Sequence, residues 1–523
     1  MKRVLLGCLL CALMMTPSFS KGKKMVIFVD NFVNLSSKEY DHFGAGIGKT
    51  VSNDFSYVPE FTVISFSDRE EALNEIAFSQ SGATKTEIKP GQMLAADYTC
   101  TGKYQIKGED LAIHASFIDV RKRKPVVSVK IIGTIHQMRE KQDQIVFKII
   151  EELKKKRFKI SDIGVNDRER MTKTRERNEK AYDYYCRGLK VKYTDPGDAL
   201  TYFQKAVNID GEYADALTEL ADLYADHLSR FKIAAEYIDK AASVLQKRNE
   251  TQSVQYARVM NVKGNVYYNL SKYQVALDSY NAGLNILENL GKADGVEYAE
   301  LLNDIGNAYK SWGKYDQSRN AFEQSLKIKE KLGMSKSLPY AITLNNMAWL
   351  YFSQGNGSRA LEYNKKAMKL KRDIKMAKSR SYAISLNNEA ILHFAGKNFS
   401  EGYKSLEKSQ KILQKLGLSG TKEYAYTLVN MGYYCSAHLK DYEKARKNYE
   451  DAQDIRKRIG QEGTLAYAAT SIDIARVYHK RLGNSCAALP WMEKGMQIKR
   501  DIGAASSSSE LSLMDEIKAQ CGK

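Results

Sequence analysis

Tyr340-Ala341-Ile342-Thr343-Leu344-Asn345-Asn346-Met347-Ala348-Trp349-Leu350-Tyr351 is one copy of a segment that returns along this chain. Its opening pair, Tyr-Ala, recurs at 256, 298, 340, 382, 424 and 467, four intervals of 42 residues and one of 43. A fixed period of that size marks a solenoid of stacked helical hairpins. Eight residues after each Tyr stands a small residue (Gly264, Gly306, Ala348, Ala390, Gly432, Ala475), where two helices must touch. Eleven residues after it come Tyr267, Tyr309, Tyr351, His393, Cys435 and Tyr478. The second half of each unit carries Ile286, Ile328, Leu370, Ile412, Ile455 or Ile498, followed by Gly291, Gly333, Gly417, Gly460 and Gly503, with Lys375 as the exception. Those glycines read as helix C-terminal punctuation.

Within a unit, Leu302-x-x-Ile305-Gly306-x-x-Tyr309 followed by Ser318-x-x-x-Phe322 fits the tetratricopeptide template, with Leu302 where the template has Trp. With Leu344-Asn345-Asn346-Met347-Ala348 and Leu386-Asn387-Asn388-Glu389-Ala390 opening first helices, the long units resemble tetratricopeptide repeats of the kinesin light chain type. Six such units cover 253–505. Ahead of them, Tyr213-Ala214-Asp215-Ala216-Leu217-x-x-Leu220-Ala221-x-x-Tyr224 resembles an ordinary, shorter repeat, and Ala199, Phe203 and Ala206 after the turn Asp195-Pro196-Gly197 form another. Two short hairpins are therefore expected over 178–250, giving about eight in all, and a tail or capping helix over 506–523. The expected fold class is an α+β N-terminal domain followed by an all-α right-handed tetratricopeptide superhelix.

The N-terminal texture differs. Met25-Val26-Ile27-Phe28-Val29 and Phe61 to Phe66 read as buried strands with a helical pattern from about Tyr40 to Phe55 between them. Glu70 to Phe78 is helical, Tyr98–Ile106, Leu111–Val120 and Val126–Ile135 are strands, and Gln144–Leu153 is a closing helix. Alternating strands and helices ending in a meander indicate an α/β or α+β domain over 24–153. The region resembles the TolB-like family through Phe28-Val29-Asp30-Asn31-Phe32-Val33-Asn34-Leu35-Ser36, Glu39-Tyr40, Gly46 and Val58-Pro59-Glu60-Phe61-Thr62-Val63-Ile64. Ala96-Asp97-Tyr98, Gly102-Lys103-Tyr104 and Phe117-Ile118-Asp119-Val120 fit the same pattern. The resemblance implies a non-enzymatic envelope or sensory module with no fixed ligand.

Lys2 and Arg3 before the apolar run Val4–Met15, then Thr16 to Ser20, read as a signal peptide over 1–20. That run is too short to span a bilayer, and no other segment qualifies. A lipoprotein signal at Leu5-Leu6-Gly7-Cys8 is disfavoured, because only three apolar residues precede the bond that would be cut. The expectation is an exported protein, periplasmic or associated with a bacterial envelope. Without Cys8 and Cys11 the cysteines are Cys100, Cys186, Cys435, Cys486 and Cys521, with no metal or disulfide-framework spacing. Cys435 reads as a buried small hydrophobe, and Cys486 with Cys521 is the pair to test for a bridge.

Gly44-Ala45-Gly46-Ile47-Gly48-Lys49-Thr50 evokes a phosphate-binding loop, but Phe43 stands where the first Gly is required. It reads as a glycine-rich helix start packed on a sheet. The seven histidines are scattered, no G-x-S-x-G elbow appears, and neither catalytic residues nor a cofactor or metal are expected. Net charge is +19, concentrated in a basic linker over 154–177 by Lys154-Lys155-Lys156-Arg157 and Arg168 to Arg177. An anionic envelope surface suits that linker better than nucleic acid does.

The fifth positions after the repeated Tyr are Asn261, Asn303, Asn345, Asn387, Val429 and Ile472, and the ninth are Asn265, Asn307, Trp349, Ile391, Tyr433 and Arg476. Both sets point into the concave groove of such a solenoid. Asn is a mediocre helix former, so four in register call for another reason, and an amide that both donates and accepts suits the main chain of an extended peptide. The kinesin light chain resemblance implies that role for Asn261, Asn303, Asn345 and Asn387. Trp349, Phe352, Phe394 and Tyr433 make the carboxy-terminal part of the groove aromatic, fit for apolar anchoring. The bland alternative is that these amides bond neighbouring repeats. The functional expectation is an adaptor that captures a protein or peptide segment in the groove; the alternative is a sensor whose small domain binds a ligand and relays through the repeats. A nucleotide-dependent enzyme using Lys49 and Thr50 is the least favoured.

Overall fold

β1 (Met25–Val29) is apolar at every position because both of its faces are covered. It pairs in parallel with β3 (Phe61–Val63) on one side and β4 (Tyr98–Lys107) on the other, with α1 (Phe43–Phe55) forming the crossover between β1 and β3. The short β2 (Val33–Asn34) also pairs with β4. β4, β5 (Asp110–Asp119) and β6 (Lys124–Thr134) continue as an antiparallel meander, giving the order β3-β1-β4-β5-β6. Burial alternates along β4 to β6, as for strands with one covered face. The covering elements are α1 and α2 (Met138–Lys155), whose Ile47, Val51, Phe55, Ile145 and Ile149 share a core with Met25, Ile27 and Phe117. The computed structural model describes residues 24–64, 93–165, 168–169, 178–192, 194–226, 230–502 and 504–522. The helical reading of Glu70 to Phe78, the signal peptide and most of the Arg168–Arg177 run lie outside them.

Helical hairpins follow. They are α3 (Glu179–Val191) with α4 (Pro196–Ile209), α5 (Ala214–Asp226) with α6 (Phe231–Lys247), α7 (Val254–Asn269) with α8 (Tyr273–Asn289), and α9 (Val296–Ser311) with α10 (Tyr315–Lys331). Then come α11 (Leu338–Ser353) with α12 (Gly357–Asp373), α13 (Arg380–Ala395) with α14 (Phe399–Lys415), α15 (Lys422–Tyr434) with α16 (Tyr442–Arg458), and α17 (Leu465–Lys480) with α18 (Ser485–Asp501). A final helix, α19 (Ser508–Cys521), closes the array. The fold class is thus a small sheet domain followed by a tetratricopeptide-like solenoid.

The periodic residues each have a job. Ser253, Ser337, Ser379 and Thr464, three before the repeated Tyr, cap first helices by accepting from the N–H of Tyr256, Tyr340, Tyr382 and Tyr467. The Tyr hydroxyl reaches back to the preceding second helix, donating to Glu288 from Tyr298 and to Glu330 from Tyr340, both at 2.6 Å. The Ala that follows it is fully buried in the packed seam at 299, 341, 383, 425 and 468. Gly264 and Gly306 lie under the rings of Tyr280 and Phe322, where an added Cβ would sit 2.3 and 2.6 Å from ring carbons. Gly291, Gly333, Gly417 and Gly460 end second helices at φ between +66° and +79°, and Lys375 adopts +64° at the same point.

The sheet domain is seated on the solenoid. The even residues of β1, Val26 and Phe28, pack with Leu94 and Met93 against Val296, Leu332, Met334, Leu338 and Met376, all at turns between successive hairpins. Thr62 accepts from the N–H of Val296 at 2.8 Å and donates to Glu297 at 3.1 Å, and Lys24 bonds Gly291 and Asp294. Gly44 to Thr50 lies inside α1, which crosses α3 at Gly46, where an added Cβ would meet Cys186 at 2.2 Å. Lys49 is buried 4.0 Å from the fully buried Glu219, which also accepts from Lys192 at 2.6 Å and Arg258 at 2.5 Å. Burial would raise the Glu219 pKa, but the three cations outweigh it and hold the carboxylate ionised. The cluster therefore ties α1 to α5 and α7. At the far end Cys486 and Cys521 are disulfide-bonded, pinning α19 to α18, while Cys100, Cys186 and Cys435 are buried thiols.

Candidate functional site

The amides of the fifth positions are not equivalent. Asn261 donates to Asp304 at 3.0 Å and accepts from Asn265, whose own carbonyl accepts from Tyr280 at 2.7 Å. Asn303 donates to Asp304 and accepts from Asn346 at 3.0 Å, and Asn307 accepts from Lys310. Further along, Asn345 accepts from Asn388 at 3.2 Å and Asn387 accepts from Asn430 at 3.0 Å. Each of these last two carbonyls is thus engaged by an amide one period and one residue later. Among the described residues no acceptor meets the Asn345 or Asn387 Nδ2, so both half-buried groups keep their donors. The inter-repeat pairing and the free donors coexist: the carbonyls fix the ladder, while the amide nitrogens of Asn345 and Asn387, like that of Asn307, meet no acceptor among the described residues.

Asn387 lines a cleft of about 360 Å³ between α13 and α15, and Asn345 adjoins it through its bond with Asn388. Asn387, Asn388 and Asn430 supply amides, Trp349 and Tyr426 aromatic surface, and Ile384 and Ile391 an apolar wall. Its back is formed by Ser409 and Leu413 of α14 with Glu423 and Thr427 of α15. Tyr426 is 47 % exposed, which leaves its ring available from solvent. Trp349 stands edge-on to Phe352, ring centroids 5.3 Å apart. Phe394 is committed elsewhere: it stacks on Tyr434 at 5.5 Å and lies over Gly402, within the α13–α14–α15 packing. Tyr433 is 52 % exposed beside it, just before a π-helical turn at Cys435–Leu439.

The sequence-derived positions are thus distributed unevenly. Asn387 and Trp349 meet in the cleft; Asn345 and Phe352 adjoin it; Asn261, Asn265 and Asn303 form an internally bonded run nearer the sheet domain, Asn307 bonds only Lys310 among the described residues, and Phe394 and Tyr433 stand apart from the cleft. Glu423, Tyr426, Thr427 and Leu413 are cleft residues that the groove positions alone do not select. Glu423 is 8 % exposed; Arg380 donates to one of its oxygens at 2.5 Å and the other has no hydrogen-bond partner. Burial would raise its pKa, but the Arg380 guanidinium outweighs that and lowers it, so the cleft holds a carboxylate. Among the described residues no group of three His, Cys, Asp or Glu could hold a metal ion, and no helix is long and apolar enough to cross a membrane.

The tetratricopeptide-repeat family model matches residues 264–331, 297–373 and 423–501. Similar solved structures include BtubC (BKLC) from P. vanneervenii, at 17 % identity over 46 % of this chain and 90 % of that one, TM-score 0.35. A Rap protein complexed with competence and sporulation factor is 11 % identical over 64 % of this chain and 92 % of that one, TM-score 0.47. The Rap conjugation gene regulator of plasmid pLS20, in complex with the Phr* peptide, is 15 % identical over 65 % and 90 %, TM-score 0.42. No curated protein matches the chain by sequence.

Proposed function

We propose that this chain is a non-enzymatic, exported adaptor that holds an extended protein segment along its first helices, with the segment's main chain accepting from Asn345 and Asn387 and a side chain entering the neighbouring cleft. The observation that carries this reading is the unused amide donor of Asn387 in the wall of a 360 Å³ cleft with aromatic surface, with the unused Asn345 donor one period before it. Donors spaced along a groove read a backbone irrespective of side chain, while a pocket between them adds selectivity. The N-terminal sheet domain takes the role of a TolB-like envelope module that the chain's repeats extend outward. The Cys486–Cys521 bond supports export, since structural disulfides persist in oxidising compartments. The basic segment after α2 is assigned to an anionic envelope surface, although Lys154 and Lys155 already pair with Asp162, Glu151 and Glu152.

A photo-crosslinking residue at position 345 tests the groove, with exposed Lys369 on a second helix as control. A discrete partner captured from 345 alone is expected; equal or empty capture from both would sink the reading. A second reading, ligand-driven relay from the sheet domain, is favoured by the direct packing of Val26 and Phe28 on the hairpin turns. It requires that a ligand of the small domain alter crosslinking from 345.

A further inference from the structure

Three of the junctions between hairpins share a device that the α14–α15 junction lacks. Lys329 of α10 donates to the carbonyl of Pro339 at 3.2 Å and to the Thr343 hydroxyl at 2.8 Å. One period later Lys371 of α12 donates to the Ser381 carbonyl and the Ser385 hydroxyl, at 3.0 and 2.9 Å. Arg456 of α16 does the same with the Ala466 carbonyl and Thr470. All three cations are buried, and each binds the first two turns of the next first helix through the same two positions.

At the α14–α15 junction the corresponding residues are Leu413, Glu423 and Thr427. The internal cation is absent, and an acidic side chain stands at the position that supplies only a carbonyl in the other three. Thr427 Oγ1 donates to the Glu423 carbonyl, as Thr343, Ser385 and Thr470 do to theirs, so the receiving geometry persists. This is the junction where the cleft opens. Three periods earlier, where Leu287 and Glu297 repeat the substitution, the Glu297 carboxylate accepts from Thr62 of the sheet domain. Glu423 has no such neighbour for its second oxygen. A buried carboxylate oxygen left unpaired is costly and calls for a donor.

We propose that this cleft takes a lysine or arginine side chain from the bound segment, the incoming cation standing where Lys329, Lys371 and Arg456 stand in their own junctions. The inference rests on the peptide-binding reading above and specifies what that site selects. The cation meets the free Glu423 oxygen and the Thr427 hydroxyl, and its aliphatic stem lies along Leu413, Trp349 and Tyr426. The selection is local: the chain's net charge of +19 would draw acidic partners at a distance, so a basic preference has to come from Glu423 itself.

The test is selection of phage-displayed random linear peptides on the full chain, repeated on Glu423→Gln and Leu413→Lys. Support is Lys or Arg at one fixed position in the peptides selected by the unsubstituted chain, with a resynthesised peptide bound roughly tenfold or more weakly by Glu423→Gln. Leu413→Lys restores the neighbouring junctions' own pattern, so it should fill the site from within and abolish binding without lowering the melting temperature, which separates occupancy from misfolding. Selected peptides that depend on Asn387 but have no basic position, or that bind Glu423→Gln equally well, overturn the cation site and leave the groove reading standing. Failure to select any peptide overturns both.

Discussion

The hairpin turns of the amino-terminal and carboxy-terminal halves of the solenoid carry the same signals and meet different neighbours. After the left-handed residue that ends each second helix come Lys292, Met334 and Met376, then Leu418 and Gln461. The first three lie at turns that receive the sheet domain, through Lys24 on Gly291 and Val26 and Phe28 against Met334 and Met376. Leu418 turns back into its own cluster with Leu413, Leu416 and Tyr424. The groove side follows a similar division: Asn261, Asn265 and Asn303 near the covered half bond one another or their neighbours, and Asn345 and Asn387 toward the open half keep donors in or beside a cleft. A repeat that must be stable can be completed internally or by a second domain. One that must bind can be left incomplete, provided its neighbours hold it.

If that contrast is right, the covered half is the one that a single polar change disrupts most. Glu219→Gln leaves Arg258 and Lys49 around a neutral amide in a buried site, with Lys192 keeping Asp222 as its remaining carboxylate. Breaking such a set by removing its buried central anion typically costs about 3–5 kcal/mol, which chemical denaturation should register together with looser docking of α1 on the solenoid, read as faster amide exchange in α1. A cost below about 1 kcal/mol, the range of exposed ion pairs, would mean that water reaches the cluster and that the two domains are not closed against each other.

The next contrast uses one repeat position in both halves. A Cβ at Gly264 would lie 2.3 Å from the Tyr280 ring, whereas one at Gly432 would lie 3.0 Å from the Tyr449 ring. Overpacking a tight core costs about 1–3 kcal/mol, so Gly264→Ala should fall near the upper end and Gly432→Ala near or below the lower. Equal costs would show that the open half is packed as tightly as the covered one.

Much of this was legible from spacing, because tetratricopeptide packing forces small residues, caps and turn residues into fixed phase. The strands were legible for the same kind of reason: Met25 to Val29 is apolar throughout, and β4 to β6 alternate. The seating of one domain on the other was not, since Val296, Met334 and Met376 are ordinary apolar turn residues until Val26 and Phe28 are seen against them. Half of the candidate site was readable as the Asn register. The double Asn at 345–346 and 387–388 also announces a pairing one period and one residue apart, which the structure shows in Asn345 with Asn388. Glu423 needed a comparison of second helices: the cationic phase Lys329, Lys371, Arg456 breaks at Leu413, a signal visible only once each phase is tied to the carbonyl it serves.

Acid sharpens the same division. Asp183 of α3 accepts from Arg187 at 2.7 Å and faces His42 of the sheet domain at 2.6 Å. Burial would raise its pKa, but the bonds to His42 and Arg187 prevail and bring it from 3.8 to about 2. A carboxyl depressed in the folded state contributes stability above its unfolded value, and that contribution is lost as pH falls from about 4 through about 2. Up to about 2 kcal/mol should go in that window, and Asp183→Asn should flatten the loss. An unchanged acid profile in that variant would assign the acid sensitivity to other carboxylates and remove this contact from the interface.

The smallest effect concerns the one turn where the repeat's own rule is broken. Lys375 holds φ +64° at a point where Gly333 and Gly417, one period to either side, hold +79° and +71°. A left-handed residue with a Cβ costs about 1–2 kcal/mol, while glycine's extra freedom in the unfolded chain costs about 0.5–1 kcal/mol. The first term is the larger, so Lys375→Gly should stabilise the chain by a few tenths to about 1 kcal/mol. The converse change, Gly333→Lys, should destabilise by a similar amount. This turn lies beside Met376, at the last turn in the cluster formed with the sheet domain. A loss of stability in Lys375→Gly would therefore show that the lysine stem is itself part of the docking surface, and that the covered half extends one residue further than backbone conformation alone implies.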